Sequence, residues 1–187
     1  MDSIVVLVIL GVVIAGIVLL YNNIIGKHNA VERAWASVLT QERQKNKIIP
    51  HVEKLVNEHK LHESSVLTKI TELRSALAEL SAGIDTDKLA AAERQTSELI
   101  KGLQVTVEAY PELKASDVYM KLMAEISEQQ QQIGAAIRIF NANVEDFNNA
   151  IEMFPGSLVN GLLIRKKRIQ SFTDSEAQAG FEYQPNL

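Results

Sequence analysis

Residues 66–80 read V-L-T-K-I-T-E-L-R-S-A-L-A-E-L, and the fold class turns on this stretch. Val66, Ile70, Leu73, Leu77 and Leu80 recur at steps of four and three, with Thr, Lys, Glu and Arg between them. That is one apolar stripe on a helix with a period near 3.6; a half-buried strand would alternate at every second residue. Ser81-Ala82-Gly83 should end this helix, with Gly83 suited to a left-handed cap.

Downstream the same period repeats. Asp85 or Thr86 can cap a helix carrying Leu89, Ala92, Thr96, Leu99, Leu103 and Val107, which Pro111 stops near Tyr110. A longer helix begins at Ser116 or Asp117. Its stripe is Leu122, Ile126, Gln129, Ile133, Ile137, Phe140, Val144, Phe147, Ile151 and Phe154, and Pro155-Gly156 ends it. Two consecutive steps of four around Ile133 and Ile137 form a stutter that locally relaxes a left-handed supercoil. Trp35, Phe140, Phe147 and Phe154 fall on stripes and should be packing anchors. Gln129 to Gln132 is a run of good helix formers expected mostly on a solvated face. The alternative is that Gln129, on the stripe, is a buried amide that finds partners and fixes register in the bundle or at a self-association interface.

Upstream, a first helix from about Ile24 to Leu61 carries Val31, Trp35, Val38, Ile49, Val52 and Val56. Its stripe is broken, because Thr40 to Lys47 holds no apolar residue and Glu42 and Lys45 take stripe positions. Either that turn projects beyond its neighbours or it meets a polar partner. Pro50 is interior and should kink the helix or remove a hydrogen bond.

The chain has 187 residues, 47% hydrophobic and 22% charged, with 9 Gly, 4 Pro and no Cys. Few turn formers suit long helices, and the composition is that of a packed protein. A net charge of −4 removes a whole-chain electrostatic case for nucleic acid. Zero Cys excludes disulfides and thiolate chemistry.

Ile4 to Leu20 has no polar side chain, and at ~1.5 Å per residue it spans about 25 Å. Met1 and Tyr21 extend it toward a ~30 Å hydrocarbon core, with Ile4, Leu10 and Leu20 in lipid and Tyr21 at the interface. The preceding Met1-Asp2-Ser3 has no basic residue, and no small-x-small site follows, so an uncleaved anchor is expected. Lys27 and Arg33 follow closely, which places the N-terminus outside and the bundle in the cytoplasm. Gly11 and Ala15 form a small-xxx-small pair of a kind that also arises by chance in such segments.

The sequence thus predicts an all-α chain: a single N-terminal transmembrane helix followed by an elongated antiparallel four-helix bundle. Its expected parts are an anchor at 1–23, a bundle at 24–156 and an apolar and basic tail at 157–187. Antiparallel parity returns the tail to the bilayer. There the apolar 157–164 precedes Arg165, Lys166, Lys167 and Arg168, candidate contacts for anionic lipid headgroups. The competing expectation is a tail packed on the bundle with a solvated charge run.

Residues 21–35, Y-N-N-I-I-G-K-H-N-A-V-E-R-A-W, directly follow the apolar run. Further on come Ile48-Ile49-Pro50, His62-Glu63, the run V-E-A-Y-P-E-L-K-A at 107–115, Arg138-Ile139-Phe140-Asn141, Phe147-Asn148 and Phe154-Pro155. In this order, over essentially the whole chain, the motifs resemble the LemA family. Departures are Glu42 where an apolar residue is usual, a weak match over Ser75 to Ser97, and a loosely similar tail after Ile164. The resemblance implies a membrane-anchored four-helix bundle of bacterial membranes with no known enzymatic activity, including a magnetosome-associated branch.

No catalytic apparatus is legible. H-E-x-x-H, G-x-S-x-G, the P-loop and the dinucleotide fingerprint are missing from the sequence. His59 and His62, three apart beside Glu58 and Glu63, are a faint metal pair, and no metal or cofactor is expected. Tyr110-Pro111 reads as a structural corner, and Arg138 with Asn141 as partners for polar groups where helices meet. Two function classes follow. One is a self-associating, non-enzymatic scaffold or adaptor on the bacterial inner membrane, touching lipid and other copies of itself. The other is an accessory subunit that presents substrates to another membrane protein, such as a membrane peptidase.

Overall fold

A computed structural model describes residues 2–58 and 64–173, and among them every regular element is helical. In chain order these are α1 (Asp2–Glu58), α2 (Ser64–Glu79), α3 (Thr86–Glu108), α4 (Pro111–Lys114), α5 (Asp117–Glu152) and α6 (Gly156–Val159). One π-helical turn, Asn160–Ile164, follows α6 directly.

Two compact units emerge. One is drawn from Met1–Ala34 and Ile139–Ser171, the other from Trp35–Arg138 and Phe172–Leu187. Both α1 and α5 contribute to each.

In the first unit, α1 begins with the apolar run and continues without a break into the first-helix stripe. This segment is long and apolar enough to cross a membrane, and its most apolar window has no residue buried inside the protein. Ile4, Leu10 and Tyr21 are exposed and Leu20 half-buried, and packing starts at Ile24. Ile24, Val31, Phe140, Val144, Phe147 and Ile151 form the apolar interior. His28 meets Phe147 edge-on with ring centroids 5.2 Å apart and lies 3.7 Å from Glu32, partners that sequence spacing did not reveal. Phe154 departs from its stripe and is 79% exposed. The cause is helix length: α5 stops at Glu152, so the phase that would turn Phe154 inward is not continued.

In the second unit, α2 and α3 form a hairpin, with Lys69 Nζ 3.0 Å from both a carboxylate and a carbonyl oxygen of Glu98. Asp85 caps α3 as predicted, its side chain accepting from the Lys88 amide at 3.1 Å. Ser116 caps α5 by accepting from the Tyr119 amide at 3.3 Å. Pro111 occupies the first turn of the short α4, making the Tyr110-Pro111 corner. Gly83 has no left-handed backbone. The carbonyls at the end of α2 are instead met from α1, where the Trp35 indole donates to Ser81 at 3.4 Å and Arg43 to Leu80 at 3.3 Å. A tertiary donor replaces the local cap. Pro50 lies within α1 and faces solvent, as does Asn46, whose carbonyl loses its helical donor.

Candidate functional site

The broken stripe on α1 resolves into the most unusual chemistry of the second unit. Glu42 and Lys45 do not project; they are 0% and 4% exposed, and Glu93 of α3 joins them inside the core. One helical turn separates Glu42 from Lys45, so both point the same way, and Lys45 Nζ lies 2.8 Å from Glu42 Oε2. The same ammonium donates to Glu93 Oε1 and, at 3.0 Å, to the Thr96 hydroxyl. Thr96 in turn donates to the Ala92 carbonyl at 2.9 Å. Gln130 of α5 donates to Glu93 Oε2 at 3.5 Å, and Gln129 donates to the Gln41 carbonyl at 2.9 Å. Gln129 and Gln130 are thus half-buried partners of α1 and α3, while Gln131 and Gln132 keep the predicted solvated face.

Three ionisable groups in a dry interior cannot all be charged without severe desolvation cost. Burial, reinforced by the nearby Glu93 charge, pushes the Glu42 carboxyl well above the ordinary carboxylate range, against the pull of Lys45. Burial acts the other way on Lys45, but the two carboxylates outweigh it and hold the ammonium more basic than usual. Glu93 also feels burial, yet the Lys45 charge and the hydrogen bonds from Lys45 and Gln130 bring it below its ordinary value. These directions favour the protonated form of Glu42 beside a Lys45–Glu93 ion pair. Neither Glu42 oxygen has a partner in hydrogen-bond geometry despite the short approach of Lys45. Protonation lowers the cost of that deficit, because a neutral carboxyl is far cheaper to bury than a carboxylate.

Beside Lys45 and Thr96 lies a cavity of about 30 Å³, otherwise lined largely by apolar side chains such as Ile49, Leu99 and Ile126. That is room for a water or two and not for a metabolite. The geometry suits a structural polar layer: it sets which turn of α1 faces which turn of α3 and α5, since a slip would strand buried charge. Glu93 and Gln130 escaped sequence reading. The available signal was the Glu42–Lys45 pair on an otherwise apolar stripe, which announces a buried partner but not its address.

A second polar lock lies in the first unit. Asn148, buried on α5, accepts from the Ile169 amide at 3.0 Å and donates to the Ile169 carbonyl at 2.9 Å. It holds the tail by both backbone polar groups of Ile169. Arg168, expected to be free for lipid, pairs with Glu152 at 2.9 and 3.0 Å. Arg165, Lys166 and Lys167 are exposed and have no carboxylate partner among the described residues. Trp35 is buried; Arg138 is exposed, and Asn141 is half-buried with a partner. The faint metal pair, His59 and His62, lies outside the described residues. Among those residues, no cluster of three metal-ligating side chains occurs.

Residues 34–182 match the model of the LemA family. The chain belongs to the LemA family. It is also similar to Protein LemA of Metamycoplasma hominis, at 31% identity over 135 residues, which is 71% of this chain and 60% of that protein. The chain thus spans less than two thirds of that relative's length. LemA is not a known enzyme family. Several positions that carry the LemA resemblance have evident structural work: Trp35 closes the α2 end, Pro111 starts α4, and Asn148 fastens the tail.

Proposed function

We propose that this LemA-family protein is a non-enzymatic, membrane-anchored helical scaffold or adaptor of the bacterial inner membrane. One observation carries the proposal: an exposed apolar run, Ile4 to Leu20, sits on the same unbroken helix that supplies the core of the folded part. No hinge or linker intervenes, so whatever fixes the run fixes the adjoining helix with it. Lys27 and Arg33 beyond the run favour a cytoplasmic bundle with the N-terminus outside.

The folded part acts as an elongated antiparallel four-helix bundle of the distal half of α1 with α2, α3 and α5. Supporting this are the pairings Trp35–Ser81 and Glu53–Arg74, Lys69–Glu98, and Gln41–Gln129 and His51–Glu125, in each of which one number rises as the other falls or a short turn intervenes. The buried charged layer makes the packing specific, a use that single buried polar residues serve in coiled coils. The anchor at 1–23, bundle at 24–156 and tail at 157–187 serve as its functional parts. The exposed Gly11 and Ala15 offer close approach between anchors of neighbouring copies.

Sizing the full chain after detergent extraction tests this reading. Oligomers that dissociate when Gly11 and Ala15 are both changed to Leu are expected. A monodisperse monomer that co-purifies in fixed ratio with one integral membrane protein would replace the scaffold with the accessory-subunit reading.

A further inference from the structure

We infer that residues 153–168 form a second membrane contact, an apolar wedge with a basic edge that lies on an anionic bilayer surface beside the anchor. This rests on the anchor reading above. Its starting point is the position of Gly156. A side chain built there would come within 3.8 Å of Ile24 Cδ1, so the segment passes against α1 just four residues past the end of the apolar run. The same hypothetical side chain would strike the Ala150 carbonyl at 2.1 Å, so glycine is required for this close seat.

From that seat the segment is two-sided. Gly156 and Val159 are buried, whereas Met153, Phe154, Leu158, Leu162 and Leu163 point away from the protein and are 57–79% exposed. Five large apolar side chains, exposed together next to a lipid-spanning helix, are poorly matched to water and well matched to the acyl–headgroup boundary. The charges complete the match. Residues 153–171 contain four basic and no acidic side chains, in a chain whose net charge is −4.

The basic edge is held in place. Arg165 takes a left-handed backbone, φ 56° and ψ 31°, and ends the π-helical turn. The Asn160 side chain then clasps Lys166, accepting from its amide and donating to its carbonyl, both at 3.0 Å. Glu152 occupies Arg168, which leaves Arg165, Lys166 and Lys167 to meet lipid phosphates. A second copy of the chain explains the apolar face but not three adjacent cations without carboxylate partners among the described residues.

The chain lacks cysteine, so single nitroxide labels can be placed in the full-length protein at Ile9→Cys, Leu162→Cys and Val105→Cys. Vesicles of purely zwitterionic lipid and vesicles with about a third anionic lipid are compared, using oxygen and a water-soluble nickel chelate as relaxing agents. At position 162 in anionic vesicles, oxygen accessibility should exceed nickel accessibility several-fold, approaching position 9 and unlike position 105. That preference should fall at least twofold in zwitterionic vesicles or with Arg165, Lys166 and Lys167 changed to Gln. A label at 162 as aqueous as at 105, with 9 deep in lipid, overturns the second contact and leaves the anchor standing. Low accessibility to both agents identifies a second protein copy as the occupant and overturns it as well. Equal insertion in both lipids overturns the anionic-surface assignment. An aqueous label at position 9 removes the anchor, and the inference with it.

Discussion

The two units invert each other's chemistry. In the first, Ile4 to Leu20 presents bare aliphatic side chains outward; in the second, Glu42, Lys45 and Glu93 carry charge-bearing groups inward. Both break the rule of apolar inside and polar outside, and each is stable only with a specific environment. The apolar run needs a non-aqueous solvent, since ~25 cal/mol per Å² of exposed apolar surface accumulates along the whole span. The charged layer needs its ions paired, since each stranded ion costs several kcal/mol. A surplus of hydrophobicity is answered by a phase, and a surplus of charge by three named partners.

The largest effect expected from breaking this contrast is in the charged layer. Lys45→Met leaves the Glu93 carboxylate buried without its cation and should lower unfolding free energy by about 3–5 kcal/mol. Replacing all three as Glu42→Leu, Lys45→Met and Glu93→Leu should restore wild-type stability or exceed it. Denaturant unfolding in detergent measures both, and a single variant as stable as the triple one would show that the layer is not a coupled unit. On the other side of the comparison, Leu10→Lys places a charge near the centre of the apolar run. It should weaken membrane retention by about 2.5–3.5 kcal/mol. Alkaline carbonate extraction reads this directly; full retention of the variant in the pellet would count against a lipid environment for that turn.

A smaller change is expected where Asn148 fastens the tail. Asn148→Ala removes two hydrogen bonds to Ile169 and should free that segment by about 1–3 kcal/mol. Hydrogen exchange at residues 166–171 should accelerate while α2 and α3 stay protected; unchanged exchange would deny the clasp.

The smallest effect is a pH slope. The Glu42 carboxyl is raised in the folded state, so its contribution to stability is complete below the ordinary carboxylate range and declines as pH rises toward its folded value. Glu93 is lowered, so its contribution exists above the ordinary carboxylate range and disappears as pH falls through its folded value. Glu42→Gln should therefore leave the acid limb intact and flatten the limb that lies above the ordinary carboxylate range. The wild-type slope there is at most ~1.4 kcal/mol per pH unit. Parallel slopes in the two proteins would mean that Glu42 is ionised in the core.

Much of this contrast was legible before any coordinates. The stripes at 66–80, 89–107 and 122–151 are local consequences of side-chain periodicity, as are the caps at Asp85 and Ser116 and the stop at Pro111. The apolar run is equally self-evident, because such a run is defined by its own composition. Gly83 and Phe154 misled for one reason: each was read by a local rule that a neighbouring element or a helix end overrode. The charged layer lies between these cases. Its gap at Thr40 to Lys47 is visible in the sequence, but Glu93 comes from 48 residues beyond Lys45 and looks like any surface glutamate.

Periodicity, caps and the apolar run depend on residues within a turn or two of each other, so the sequence alone determined them. Which carboxylate meets Lys45, which donors close the end of α2, and where the tail returns to α1 depend on contacts 37 or more residues apart. No local pattern encodes such distances; only the packed tertiary structure decided them.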